Sequence, residues 1–263
     1  MTTPILIRED ADAIATLTMN APERLNALSD AMLAALADTF AALREDRDIR
    51  AVILRGAGKA FCAGHDLREM QAGRQAPDRG AAYFAELFAR CAAVMQAIPA
   101  MPQPVIAEVH GIATAAGCQL VASCDMAVAA EGTRFGVNGV NIGLFCSTPM
   151  VALTRNIPRK AAFEMLTTGE FIDAERAQAL GLVNRVVPAA DLGTQSRALA
   201  ETVAGKLGAA VGIGKAAFYA QAEMPLAAAY DYTGTVMAEN MLWRDTEEGI
   251  AAFLEKRKPD WQV

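Results

Sequence analysis

Histidine is scarce: the 263 residues hold two, His65 and His110, and neither lies in a metal-ligand spacing. That argues against zinc chemistry, and no metal site is expected. Basic residues are outnumbered, with 24 lysines and arginines against 30 aspartates and glutamates for a formal charge of −6. A general nucleic-acid role does not fit that balance, although it leaves room for a local basic patch that meets an anionic ligand. The five cysteines, Cys62, Cys91, Cys118, Cys124 and Cys146, form an odd set without paired spacing. They predict buried free thiols in a reducing compartment rather than a disulfide framework. The opening Met1–Ile5 lacks a basic leader with a long apolar core, and no segment runs uninterrupted at membrane-spanning length. A cytoplasmic chain with no membrane partner is the expectation.

What is present suits a large α/β domain, or a domain with an appendage. Apolar residues make up 53% and alanine is abundant, which favours helices packed on a sheet. Ile5–Arg8 and Ala13–Met19 read as a hairpin around the acidic turn 9–12. Ser29 caps a helix whose Met32, Leu33, Leu36, Phe40 and Leu43 fall on one face. The polar stretch 71–79 reads as a mobile loop. A long helix follows from Ala81 to Ile98, ended by Pro99, Pro102 and Pro104. Met126–Ala130 and Arg134–Val137 read as strands. Past Cys146 the chain turns helical: Met150–Asn156, Arg159–Thr167, Ala174–Leu180 behind the cap Asp173, then four helices from Leu192 to Arg257 after a short strand at 183–187. A soft boundary near residue 190 divides a core, 1–190, from a helical region, 191–263.

Two stretches carry the chemistry. Ala51–Gly56 reads as a strand covered on both faces, followed by Phe61–Gly64 and a helix that Asp66 caps with Glu69 as capping-box partner. Pro104–Gly111 again reads as a strand, and Ala113–Leu120 as small residues opening a helix. One such turn alone is ordinary packing. Two of them can aim two backbone N–H groups at one oxygen that becomes negative during a reaction.

These pieces, with Pro22–Leu28, Phe61–Leu67, Gly117–Leu120, Cys124–Asp125 and the ending Glu248–Ile250 to Phe253–Pro259 in this order, resemble the crotonase superfamily, the enoyl-CoA hydratase/isomerase family. Ala115–Asp125 with Gly143–Pro149 is similar to its enoyl-CoA hydratase domain-containing protein 3 branch. The resemblance implies an α/β spiral of β-β-α units with a helical C-terminal region that builds a homotrimer or a dimer of trimers. It implies an acyl-CoA thioester substrate in fatty-acid or related acyl-CoA metabolism, with no separate cofactor because coenzyme A is part of the substrate. By the same resemblance the backbone N–H groups of His65 and Ala116 form the oxyanion hole. Arg24, Leu25, Ala63, Gly64, Asp66 and Leu67 match its substrate-binding positions, and Phe253 and Lys256 match a helix that reaches a CoA phosphate from a neighbouring subunit. Lysine and arginine at 256–258 also complement a helix dipole without any ligand.

The family's hydratases use two glutamates, and these positions fall at Gln119 and Gly139. Gln119 cannot take up a proton near neutral pH and Gly139 has no side chain, so the usual hydration is not expected. Isomerisation, a lyase step and hydrolysis stay open, as does an acyl-CoA-binding protein with little turnover. The His65 imidazole is a candidate base. Cys146, Ser147 and Thr148 are candidates for a nucleophile or, more simply, for a helix cap. Asn138 and Asn141 flank the empty position as polar contacts for water or an acyl group, and Asp125 reads as structural.

Overall fold

A computed structural model describes residues 3–262, so Met1 and Thr2 of the stretch read for a leader lie outside it. The first sheet has six strands in the order β1 (Leu6–Ala11), β2 (Ile14–Met19), β3 (Ala51–Gly56), β4 (Val105–Val109), β6 (Met126–Ala130), β9 (Arg185–Val187). Within this sheet, among the described residues, the β1–β2 hairpin alone is antiparallel, with Ala11 opposite Ile14. The turn is therefore Asp12–Ala13, both at positive φ, and Glu9, Asp10 and Ala11, expected in the turn, belong to β1. The parallel strands alternate between two cores, as strands covered on both faces must. On β3, Val52 and Leu54 enter the larger core beneath α1 (Asp30–Glu45), α3 (Ala81–Ala100) and α4 (Ala116–Ser123). Ala51 and Ile53 enter the smaller one beneath α8 (Leu192–Ala204).

The helix α1 buries the five side chains read from its periodicity, and Ser29 Oγ accepts from the Met32 N–H as its cap. Pro99 does not end α3 but occupies its last turn. This helix is long and apolar enough by composition to cross a membrane, although Glu86 and Arg90 interrupt its apolar run. Here Leu87, Cys91, Val94 and Ile98 pack into the core, and Arg90 pairs with Asp30 of α1 at 2.6 Å.

A second, three-stranded sheet, β5 (Ile112–Thr114), β7 (Arg134–Gly136) and β8 (Ile172–Asp173), builds the spiral. Each turn leaves the first sheet, adds a short strand to the second and continues into helix: β4–β5–α4, then β6–β7 and α5 (Ser147–Asn156). The short β5 and β8 escape the sequence reading, since two or three residues have no readable period. The 71–79 stretch is part helix, because α2 spans Leu67–Gly73. The helices α6 (Arg159–Thr168), α7 (Ala174–Leu180), α9 (Gly208–Gln221), α10 (Leu226–Met241) and α11 (Arg244–Leu254) complete the chain. Asp173 caps α7 as expected.

Asp125 is structural. Its carboxylate accepts from the Val105 N–H (2.6 Å), Lys215 Nζ (2.7 Å) and the Tyr219 hydroxyl (2.8 Å), and Lys215 also donates to the Ile98 and Gln103 carbonyls. The cluster joins α9 to the start of β4.

Candidate active site

The site begins where three backbone segments run side by side. The Leu28 N–H donates to the Gly64 carbonyl at 2.7 Å, and the Ala63 N–H to the Leu25 carbonyl at 3.0 Å. On the other side the Thr114 N–H donates to the Cys62 carbonyl at 3.0 Å, and the Ala115 N–H to the Gly136 carbonyl at 2.9 Å. Gly64 lies between them at φ +88, where a Cβ would sit 3.0 Å from the Ala115 Cβ and 3.3 Å from the Ala116 nitrogen. The two small-residue turns thus touch. Ala115 holds the rare backbone pair φ 50, ψ −119 and Ala116 opens α4, so its N–H has no intrahelical acceptor. Among the described residues neither the His65 nor the Ala116 N–H donates to a backbone carbonyl.

Both residues border a cavity of about 320 Å³. Its walls are mostly apolar, with Leu67, Met70, Phe88, Ile142, Leu144 and Phe145 among the lining residues. Polar groups come from Thr114, Asn138, Asn141 and the Cys146–Thr148 segment. The Thr114 hydroxyl donates to Asn138 Oδ1 at 2.7 Å, a pair the sequence hides because β5–β7 pairing creates it.

The expected site residues divide. Ala63, His65, Leu67, Ala116 and Gly139 line the cavity, while Gly64 supplies the backbone beneath. Asp66 and Arg24 form a buttress. Asp66 caps α2 by accepting from the Arg68 and Glu69 N–H groups and binds Arg24 Nη1 at 2.8 Å. Burial raises the Asp66 carboxyl's pKa, and those hydrogen bonds outweigh it and hold the group below its usual value. Glu69 does not complete a capping box: its Oε2 accepts from the Asp30 N–H at 2.7 Å, capping α1 instead. Phe253 and Lys256 are not brought to the cavity of their own chain, and Phe253 borders a separate cleft with Leu207, Ile250 and Trp261.

The His65 imidazole does not offer a base to the cavity. Both ring nitrogens are buried with no hydrogen bond of acceptable geometry, and the ring meets Phe88 edge-on at 5.7 Å. Burial lowers its pKa, against the pull of the Leu28 carbonyl and Asp30, so the imidazole is neutral. Gln119 is buried and its Oε1 lacks a partner. A Cβ on Gly139 would strike the Leu144 carbonyl oxygen and lie 2.8 Å from the Cys146 sulfur. The Cys146 thiol's pKa is raised by burial, with the Gly139 N–H opposing. The cap expected of Ser147 or Thr148 is absent: both lie inside α5, which begins behind Cys146 with no side-chain cap bond, and Ser147 Oγ reaches only the Phe145 carbonyl.

Residues 9–263 match the family described as Enoyl-CoA hydratase/isomerase. The chain is 46% identical over 250 residues to the Homo sapiens enoyl-CoA hydratase domain-containing protein 3, mitochondrial, covering 95% of this chain and 81% of the relative. The crystal structure of that human protein superposes with a TM-score of 0.93 at 44% identity, covering 98% of this chain and 100% of the other. An enoyl-CoA hydratase structure from Mycobacterium smegmatis gives 0.95 at 55% identity, over 99% and 100% of the two chains. The crotonase fold and the branch read from the sequence are both borne out. The cytoplasmic expectation is not: the human and Xenopus laevis relatives are named mitochondrial. It rested partly on cysteine usage, and all five thiols are free and buried, so they report the core they sit in rather than the compartment outside.

Proposed function

The chain belongs to the enoyl-CoA hydratase/isomerase family, and we propose that it is an acyl-CoA-processing enzyme that holds a thioester oxygen between the His65 and Ala116 N–H groups. The observation that carries this reading is the contact of the two turns, with the Ala116 nitrogen 3.3 Å from the position a Gly64 Cβ would take, at the edge of an apolar cavity. Chemistry beside a thioester passes through an enolate or a tetrahedral oxyanion, and two preorganised donors stabilise it by about 3–4 kcal/mol each. Arg24, Leu25, Ala63, Gly64, Asp66 and Leu67 serve the substrate side. Phe253 and Lys256 reach a CoA phosphate in a neighbouring copy of a homotrimer or dimer of trimers.

Gln119 and Gly139 stand, in this proposal, where the family's hydratases carry glutamates. Crotonyl-CoA hydration is then at least roughly a thousandfold slower than in a two-glutamate enzyme. Stopped-flow hydration assays beside calorimetric titration with butyryl-CoA test both halves: binding with slow hydration supports the reading, and rapid hydration or no binding sinks it. A second reading is a CoA-thioester binder without turnover, favoured by the absence of any aspartate or glutamate among the described residues lining the cavity. Turnover of any acyl-CoA in a panel removes it.

A further inference from the structure

An enolate forms when a bond at the thioester α-carbon breaks and leaves its electrons behind. If the bond is C–H, a group at the α-carbon must accept the proton. Among the described residues lining the cavity there is no Asp, Glu, Lys or Arg. The His65 ring nitrogens are sealed from the cavity, and the one orphaned atom of Gln119, its Oε1, is buried likewise. The Cys146 thiol is held protonated by its burial, and the hydroxyls of Ser147 and Thr148 have no base beside them. A proton at the α-carbon therefore has nowhere in the cavity to go.

We propose that the thioester this cavity takes carries a carboxylate on its α-carbon, and that the enolate is made by loss of carbon dioxide. The inference rests on the thioester reading of the preceding subsection. The C–C bond to the carboxylate breaks, its electron pair passes into the enolate held at the His65 and Ala116 N–H groups, and CO2 leaves without any protein base. Water then protonates the α-carbon, and the hydroxide so formed combines with CO2 to bicarbonate. The products are the shortened acyl-CoA and bicarbonate, with no oxidant or reductant needed.

The surroundings suit this chemistry. Apolar walls solvate a compact carboxylate poorly and the dispersed charge of the departing state less poorly. Asn138 supplies what is needed to orient the carboxylate: Thr114 occupies its Oδ1 at 2.7 Å, leaving Nδ2 as a donor with no partner among the described residues. A neutral amide aligns the leaving group without the ion pair that would hold its charge in place. Asn141 is less available, since its Nδ2 is turned to the Gly169 carbonyl at 3.4 Å.

The test uses the full chain in D2O with malonyl-, methylmalonyl- and ethylmalonyl-CoA, reading CO2 release and the mass of the acyl product, beside titration with butyryl-CoA. The expected result is CO2 release from at least one of the three, with one solvent deuterium placed at the α-carbon per turnover. Asn138→Ala then lowers kcat/KM for that substrate about 10- to 100-fold, the weight of a hydrogen bond to a charged group, while butyryl-CoA affinity moves less than about threefold. Butyryl-CoA bound with no CO2 from any of the three overturns the proposal and leaves the thioester reading standing. Rapid exchange of butyryl-CoA α-hydrogens with D2O overturns it too, by revealing a base. Failure to bind butyryl-CoA removes both readings together.

Discussion

A side chain on Gly139 has no room, because the Leu144 carbonyl and the Cys146 sulfur already fill the space beside its Cα. Gly139→Glu is therefore expected to leave crotonyl-CoA hydration at the wild-type level and to lower the denaturation midpoint, since the 144–146 backbone must move to admit it; a hydration rate raised a hundredfold would refute this. Ala115 is the opposite case. At φ 50, ψ −119 an L side chain is strained by about 1–3 kcal/mol, and Ala115→Gly should stabilise the fold by roughly 1 kcal/mol in urea denaturation. Gly64→Ala combines both faults, positive φ and a Cβ 3.0 Å from that of Ala115. It should abolish butyryl-CoA binding before it unfolds the chain, as separate titration and thermal melts would resolve.

Elements are joined here by side chains that leave their own helix. Glu69 of α2 caps α1, and Lys215 of α9 reaches Asp125 before β6. That pair is buried, with 6% and 12% of the two side chains exposed, so Lys215→Met leaves a carboxylate without its cation and should cost about 3–5 kcal/mol. The tail is held differently. Glu248 of α11 accepts from Arg257 Nη1 at 2.5 Å and Nη2 at 2.9 Å, and from the Asp260 N–H at 2.8 Å. The Arg257 hydrogen bonds bring the Glu248 pKa down to about 2 from an unperturbed 4.5. A carboxyl depressed in the folded state stabilises it fully above its unfolded pKa and loses that contribution as pH falls through the folded value. The tail should accordingly detach between about pH 4.5 and 2. Trp261, whose ring lies over Gly249, reports this by fluorescence, and Glu248→Gln should release it at neutral pH.

At the scale of the molecule, the last two helices leave large apolar side chains in water: Leu226 is 75% exposed, Tyr230 72%, Met237 69% and Phe253 83%. Apolar surface of that extent is the kind that interfaces cover, and the homotrimer or dimer of trimers proposed above would bury it. A Tyr230→Glu, Met237→Glu double variant should sediment as a monomer where the wild type sediments as an oligomer; an unchanged mass would place the interface elsewhere. The buried core is indifferent to this change, so circular dichroism should stay the same.

Periodic signals were open to reading without coordinates. The buried face of α1, the two-faced β3 and the caps Ser29, Asp66 and Asp173 each depend on residues within one or two turns of chain. So did the two small-residue turns, because only alanine and glycine leave the backbone bare. Tertiary structure alone decided what those turns face. Leu28, Gly64 and Ala115 are far apart in sequence: the Leu28 N–H donates to the Gly64 carbonyl, and the Thr114 N–H, donating to the Cys62 carbonyl, sets Ala115 beside Gly64. It also decided that Glu69 serves a different helix, that the His65 nitrogens are sealed in, and that Gly139 cannot carry a side chain. These outcomes depend on which atoms occupy neighbouring space, and local spacing along a chain does not carry that information.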